Sequence, residues 1–429
     1  MNPTQKNRPR TLPVVYFSFG HFTLVAALLL VAVRPTDIAG FFYHPRMFTA
    51  VHLITLGWIT CSILGATYLV APLALRMSLP ATPVDNWICA AMLIGASGIV
   101  SHFWLDQYWG LVASGMLTFA ALTGFAHRVW PALGTAKSPP GVRLLVGLAH
   151  ANLQLAVLAG LLIAINKLLP FLPGAHLSYV FGHVHLAIVG WAVMMVVGVG
   201  YRLLPMFLPA APPEGRSIVL CAATMETGVL GLSITLPISN TAARIFAIII
   251  TVGLIIFFVD LARMLTHPRK RPPQLPRPDL GMLHAFQALV YLILSAAIGL
   301  YMLFVPGWQL NWIMIYGVFG LLGFLGQIIL GMGMRLLPMF AWMEGFTNGG
   351  FDTSQPAPHD MPSRPLQYGI LVLWTLGVPL LAVGLARDRI PWITAAGWTL
   401  AAAAILASVN TVRVLRHAFP DKVEKGRNG

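Results

Sequence analysis

The sequence predicts an all-α polytopic membrane protein of about twelve transmembrane helices, built as three four-helix arcs about a pseudo-threefold axis with both termini cytoplasmic. Three observations carry this. Of 429 residues, 57% are hydrophobic and only 9% charged. The mean hydropathy is +0.78. Finally, one helix is written three times at a constant spacing. His52-Leu53, Gly57-Trp58, Gly65, Tyr68 and Pro72 recur 133 residues on as His185-Leu186, Gly190-Trp191, Gly198, Tyr201 and Pro205. A third copy keeps Gly323, Gly331 and Pro338 but has Val318 for the histidine and Met334 for the tyrosine, and it repeats Arg202–Phe207 as Arg335–Phe340. Repetition at such a period marks related structural blocks within one chain.

The helices are read from apolar runs long enough to cross a hydrocarbon core of about 30 Å. Helix 1 runs from about Pro13 to Arg34, helix 2 from Met47 to Leu73, helix 3 from Asn86 to Leu105 and helix 4 from Tyr108 to Val129. Helix 5 follows from about Gly141 to Leu169, helix 6 from Ser178 to Leu208, helix 7 from Ser217 to Leu236 and helix 8 from Thr241 to His267. The last arc has helix 9 from about Leu280 to Phe304, helix 10 from Leu310 to Phe340, helix 11 from Leu366 to Leu385 and helix 12 from Trp392 to Arg413. The chain therefore reads as a single transmembrane domain, 1–429, with repeats at about 13–130, 141–267 and 279–413. The longest polar stretches, about Pro268 to Pro278 and Met343 to Pro365, leave no room for a soluble domain.

Charge placement sets the expected orientation. With the N-terminus inside, only Arg34, Arg46, Lys167, Arg244, Arg387 and Arg389 of the 27 Lys and Arg residues fall outside. The inner loops hold the rest, including Arg263, Arg269, Lys270, Arg271 and Arg277. This is the positive-inside pattern. A basic inner rim facing anionic lipid accounts for the net charge of +14 without nucleic acid. The basic N-terminal stretch has no small-residue cleavage site after it and reads as a cytoplasmic tail. Cys61, Cys89 and Cys221 lie inside helices with no paired spacing, so neither a disulfide framework nor a zinc site is expected.

Histidines supply the candidate chemistry. Helices 2, 6 and 10 would run from outside to inside, placing His52, His183 and His185 in the outer leaflet roughly 8–12 Å below the helix starts. Ionisable groups at such depth are costly and usually functional, and imidazole is the common ligand for haem iron and copper. Interhelical hydrogen bonding by lone polar residues is the competing reading. His183 and His185 point about 200° apart around their helix, so they cannot easily ligate one iron. A second set, His21, His150 and His284, opens helices 1, 5 and 9. Gln154 and Gln287 share faces with two of them. Interfacial hydrogen bonding competes here with a second cofactor or a polar proton path. His44, His102, His127, His176, His267, His359 and His417 read as rim or loop residues.

Glu226 lies near the middle of helix 7, where a charged carboxylate is expensive. It is expected to be protonated, paired across helices or facing a wet cavity, and it is the candidate catalytic acid. Asp260 beside Arg263 reads as an interfacial ion pair. Met332 and Met334 could be soft metal ligands but read as packing residues.

Twelve helices in three arcs, with histidine near the outer end of helix 2 and again in helix 6, resemble subunit I of the haem–copper oxidases. The run Gly65-Ala66-Thr67-Tyr68-Leu69-Val70-Ala71-Pro72 looks most like the nitric oxide reductase and C-type oxidase branch. The resemblance implies that His52 matches the ligand of the low-spin haem, and that His183 or His185 matches the helix 6 ligand of the active-site copper. It further implies haem b, with copper as a second cofactor, an electron donor of the cytochrome c or quinol kind, partner subunits, and a bacterial inner membrane. The departures are specific. Tyr316 and Val318 replace the helix 10 histidines of the family, helix 7 carries no histidine, and Ala187 and Val189 stand where tyrosine follows the helix 6 ligand. A complete oxygen-reducing centre is therefore not expected. Three functions remain open: a haem-bearing redox protein acting in electron transfer or on nitric oxide or oxygen, a haem- or copper-binding sensor without turnover, and a cofactor-free transporter or assembly scaffold.

Overall fold

In a computed structural model of the chain, residues 11–213, 215–269, 278–307, 309–350 and 354–419 are described. The basic N-terminal stretch and Lys270, Arg271 and Arg277 lie outside them. Twelve helices are long and apolar enough to cross a membrane. They are α1 Leu12–Val33, α2 Pro45–Leu73, α3 Pro83–Trp104, α4 Tyr108–Gly134, α5 Pro140–Leu168, α6 His176–Phe207, α7 Gly215–Thr235, α8 Asn240–Thr266, α9 Leu280–Phe304, α10 Asn311–Gly349, α11 Arg364–Ala386 and α12 Ile390–Ala418. Proline sits in the first turn of α2, α3, α5, α11 and α12, where its missing N–H has no helical partner to lose.

The expected helix order holds throughout, but three helices run further than expected, α4 to Gly134, α10 to Gly349 and α12 to Ala418. The polar stretch read from Met343 begins later, because α10 continues to Gly349. Ala341 and Gly345 are buried in this extension, and Trp342 packs edge-on to Phe346 with ring centroids 4.8 Å apart.

The chain forms two compact units, Met1–Thr23 with Phe41–Pro272 and Ser295–Trp312, and Leu24–Gly40 with Pro273–Leu294 and Ile313–Gly429. In the first, α2 packs on α1 through small residues: a Cβ on Gly57 would lie 2.6 Å from the Thr23 Cβ, and one on Gly65 3.0 Å from the Tyr16 Cβ. The α2 side bearing Gly57 and Gly65 thus faces protein, as close helix approach requires. α6 meets α2 through Trp191, whose indole Nε1 donates to Thr60 Oγ1 at 3.3 Å. In the second unit, Trp374 of α11 donates from Nε1 to the Leu322 carbonyl of α10 at 2.9 Å, and α12 packs at Gly397 against Ala32 of α1.

The tyrosines of the repeated motif each find a carboxylate. Tyr68 donates to Asp85 Oδ1 at the start of α3, and Tyr201 to Asp260 Oδ2 on α8, both at 3.1 Å. Asp260 also accepts from Ser217 Oγ at 2.5 Å and lies 3.4 Å from the Arg263 guanidinium, so the expected ion pair is one part of a buried knot.

Candidate histidine site

A local change of helix geometry prepares the site. Eight-residue π-helical segments, whose N–H groups reach back five residues rather than four, cover Leu53–Thr60 in α2, Leu186–Val193 in α6 and Phe319–Gly326 in α10. They begin immediately after His52, His185 and Val318, three positions related by the 133-residue repeat. Such wide turns carry poorer hydrogen-bond geometry and occur mostly at functional sites. Each contains a glycine against which a neighbour packs closely. A Cβ would come within 2.6 Å of Thr23 at Gly57, 2.8 Å of Asn152 at Gly190 and 2.6 Å of Tyr291 at Gly323.

The hydrogen bonds of the three candidate ligands fix their tautomers. His52 Nδ1 lies 2.8 Å from the Phe48 carbonyl, His185 Nδ1 2.7 Å from that of Phe181, and His183 Nδ1 2.7 Å from that of Ala156 on α5. A carbonyl only accepts, so each Nδ1 carries the proton and each neutral ring presents Nε2 as a lone pair. This is the arrangement that metal-ligating histidines adopt. His183 is turned toward α5, where a Cβ on Gly160 would stand 2.9 Å from its Cε1, while His185 bonds back along its own helix. The two imidazoles thus diverge, as their spacing requires. His183 lies within electrostatic range of His52. The His52 ring lies against Phe103 of α3, with centroids 4.8 Å apart. Around it, Ile99, Leu111, Val112 and Ala164 form an apolar cluster with Leu56, Leu161 and Ile165.

The second set of histidines lies where the expected helix starts put it, on α1, α5 and α9. His21 stands beyond the second turn of α1. His150 is fully buried on α5, its Nδ1 on the Val146 carbonyl at 2.8 Å, its ring stacked on Phe125 and edge-on to Trp191. His284 is fully buried on α9, and its Nδ1 meets Gln327 Oε1 of α10. Gln327 in turn donates from Nε2 to Gln287 Oε1 at 2.7 Å, which also accepts from Thr375 Oγ1 at 2.9 Å. Because the Gln327 amide nitrogen is committed to Gln287, its oxygen accepts and His284 Nδ1 donates. The Nε2 atoms of His150 and His284 both lack a partner among the described residues. Gln287 joins its histidine through Gln327, whereas Gln154 turns instead to Thr123 of α4, which donates to it at 2.8 Å.

Glu226 pairs across helices. Its Oε2 accepts from Nδ2 of the fully buried Asn152 on α5 at 2.7 Å, and Asn152 also reaches Met194 Sδ at 3.7 Å. Tyr316 holds the α10 position equivalent to His183 and belongs to the second unit. Reasoning from sequence missed Asn152, Gln327 and two of the rim histidines. His44 caps α2, its Nδ1 accepting from Met47 N at 3.3 Å. His176 Nε2 lies 2.6 Å from the Tyr43 hydroxyl, and Lys167 covers the Tyr43 ring at 5.2 Å. The available signal was the repeat itself, since Tyr43 and His176 are also 133 residues apart.

Fold and site together define a twelve-helix membrane bundle with imidazoles in its interior. No family profile and no curated protein matches the sequence. Among solved structures, a haem–copper terminal oxidase determined by cryo-electron microscopy as a dimer matches with a TM-score of 0.62 at 11% identity, over 97% of this chain and 84% of that one. The chain therefore has the fold of a haem–copper terminal oxidase.

Proposed function

We propose that this membrane protein holds a b-type haem between His52 of α2 and His183 of α6 and uses it for electron transfer or redox chemistry on a small gas such as nitric oxide or oxygen. The observation that carries the reading is the pair of neighbouring imidazoles, each with Nδ1 committed to a carbonyl and Nε2 left as a lone pair. A haem would supply a one-electron couple at that place. The chain's own part is to orient the two rings through the Phe48 and Ala156 carbonyls and to keep water from them with Phe103 and its apolar neighbours. In this reading His185, on the other side of α6, serves a different site. Glu226, hydrogen-bonded to Asn152, is the candidate group for moving a proton.

The residues fit a haem better than copper. Among the described residues no three His, Cys, Asp or Glu side chains converge to hold a metal ion. Together with Tyr316 and Val318 in place of the family's helix 10 histidines, this favours a second reading, a haem-binding or sensing protein without turnover. In either case the isolated chain should not consume oxygen. The reading also includes a bacterial inner membrane, cytoplasmic termini, a cytochrome c-like or quinol donor and partner subunits. The recurrence of the π-helical turns supports three repeats at about 13–130, 141–267 and 279–413.

The test is a reduced-minus-oxidised spectrum of the purified chain supplied with haem. A b-type band is expected, abolished by His52→Ala and by His183→Ala and retained by His359→Ala. Carbon monoxide reactivity then separates an open haem from one closed by two axial ligands. A protein that takes up no haem, or an unchanged band in His52→Ala, would sink the proposal.

A further inference from the structure

The repeat offers an internal comparison at the end of the first unit where α2, α4 and α6 terminate and α3 and α5 begin. Arg202 and Arg335 open the same six-residue sequence in the second and third copies. Arg335 is neutralised within the protein by an ion pair with Asp279, just before α9. Asp279 lies five residues before His284, and the residue five before His150 is Leu145, fully buried and apolar. The second copy therefore lacks the carboxylate that the third supplies. Arg202 instead donates from Nε to the Ala74 carbonyl past the end of α2, at 3.0 Å.

A second cation stands beside it. Arg76 is exposed and has a backbone φ of 50°, uncommon for a residue other than glycine. Its carbonyl accepts from Lys137 N at 3.2 Å, which ties the α2–α3 link to the α4–α5 link. The Arg76 and Arg202 guanidinium groups are near enough to repel one another. Next to Lys137, the Ser138 hydroxyl is 4% exposed and has no hydrogen-bond partner, and neither has the buried Nε of Arg143. Immediately beyond, α5 begins at Pro140, and the start of a 29-residue helix adds positive potential. Among the described residues no carboxylate pairs with Arg76, Arg143 or Arg202. Like charges held together beside buried, unsatisfied donors call for an anion from outside the chain.

We propose that Arg76 and Arg202, with Ser138 and the start of α5 beside them, bind a phosphate group that takes the place of the Asp279 carboxylate. The same chemistry is offered by the headgroup of an anionic lipid and by free phosphate. Anionic lipids are recognised by basic pockets of this kind between helix ends. Occupancy neutralises the two arginines and joins the α2–α3 link, α6 and the α4–α5 link around one ligand.

Native mass spectrometry of the full chain, delipidated and titrated separately with dioleoylphosphatidylglycerol and with inorganic phosphate, tests this. Wild type should bind one equivalent, Arg76→Gln should bind about fivefold more weakly, and Arg76→Gln with Arg202→Gln should not bind it, while Arg387→Gln in the α11–α12 link behaves as wild type. Displacement of the lipid by inorganic phosphate would identify free phosphate as a sufficient ligand, and retention of the lipid would assign the site to the headgroup. Arg76 is exposed and has no side-chain hydrogen bond or ion pair among the described residues, so Arg76→Gln leaves the fold intact. Equal binding by wild type and Arg76→Gln with both probes, or no binding of either by wild type, would overturn the proposal.

Discussion

Asp85 offers the sharpest test of how the bundle is held, because its carboxylate is fully buried and ties three helices together. It accepts from Tyr68 of α2 at 3.1 Å, from the Thr82 backbone N–H at 2.6 Å and hydroxyl at 2.7 Å, and from Arg128 Nε of α4 at 3.1 Å. Asp85→Ala removes the acceptor of all four hydrogen bonds at once. Breaking a buried ion pair costs about 3–5 kcal/mol when the surviving charge stays buried. The Arg128 side chain is 31% exposed and can turn to water, so its share falls to about 1 kcal/mol. Leaving the Tyr68 hydroxyl without an acceptor adds about 1–2 kcal/mol. Loss of the reciprocal cap at the start of α3 adds about 1 kcal/mol.

Since these terms share one carboxylate and do not add fully, Asp85→Ala is expected to destabilise by about 3 kcal/mol. Asp85→Asn keeps one acceptor oxygen and should cost about half as much. Unfolding midpoints in mixed detergent and dodecyl sulfate micelles measure both, with Thr82→Ala reporting the cap alone. If Asp85→Ala lies within about 0.5 kcal/mol of wild type, as a surface substitution would, the knot is not what joins α2, α3 and α4.

Other substitutions probe packing and the polar interior. Gly57→Ala should destabilise by about 1–3 kcal/mol, since the new Cβ would sit 2.6 Å from Thr23 and one helix must shift; an unchanged unfolding midpoint would mean that α1 and α2 can separate freely there. Glu226→Gln keeps shape and hydrogen-bonding capacity toward Asn152, so haem content should hold while any proton-coupled turnover falls; full turnover would reduce Glu226 to a helix contact. Gln327→Leu strands the buried N–H of His284 and leaves the Gln287 oxygen to Thr375 alone, and should cost about 1–3 kcal/mol, read as a lower midpoint than that of Gln154→Leu, which loses the bond to Thr123.

Element order was legible because lipid imposes one rule, long apolar runs, that composition reports directly. What the sequence concealed is rotation within those runs. α2, α6 and α10 are apolar on nearly every side, so periodicity cannot reveal where hydrogen bonding passes from four-residue to five-residue spacing. That passage follows His52 and His185 directly and alters how the residues before it face relative to those after it. The divergence of His183 and His185 could be read from a two-residue spacing. How His183 is held could not, because that depends on the Ala156 carbonyl and the gap at Gly160, both on another helix. Glu226 was visible as a costly carboxyl, but its partner Asn152 was one polar residue in the apolar run of α5, with nothing local to mark it.

In the third repeat a different residue before the π-helical turn is accompanied by a polar network after it. Where α2 and α6 carry His52 and His185 before the π-helical turn, α10 carries Val318. One residue beyond that turn, the equivalent positions hold Cys61, Met194 and Gln327. The amide is the one of the three able to bond strongly in both directions, and it draws His284, Gln287 and Thr375 into a buried chain linking α9, α10 and α11. In the second repeat the corresponding histidine, His150, bonds only its own helix, and helix contact there is made by Trp191 reaching Thr60. Hydrogen bonds from one buried amide to two neighbouring helices limit how those helices can shift against each other. In α10, therefore, a side-chain amide supplies cross-helix bonding at the position where α2 and α6 carry Cys61 and Met194.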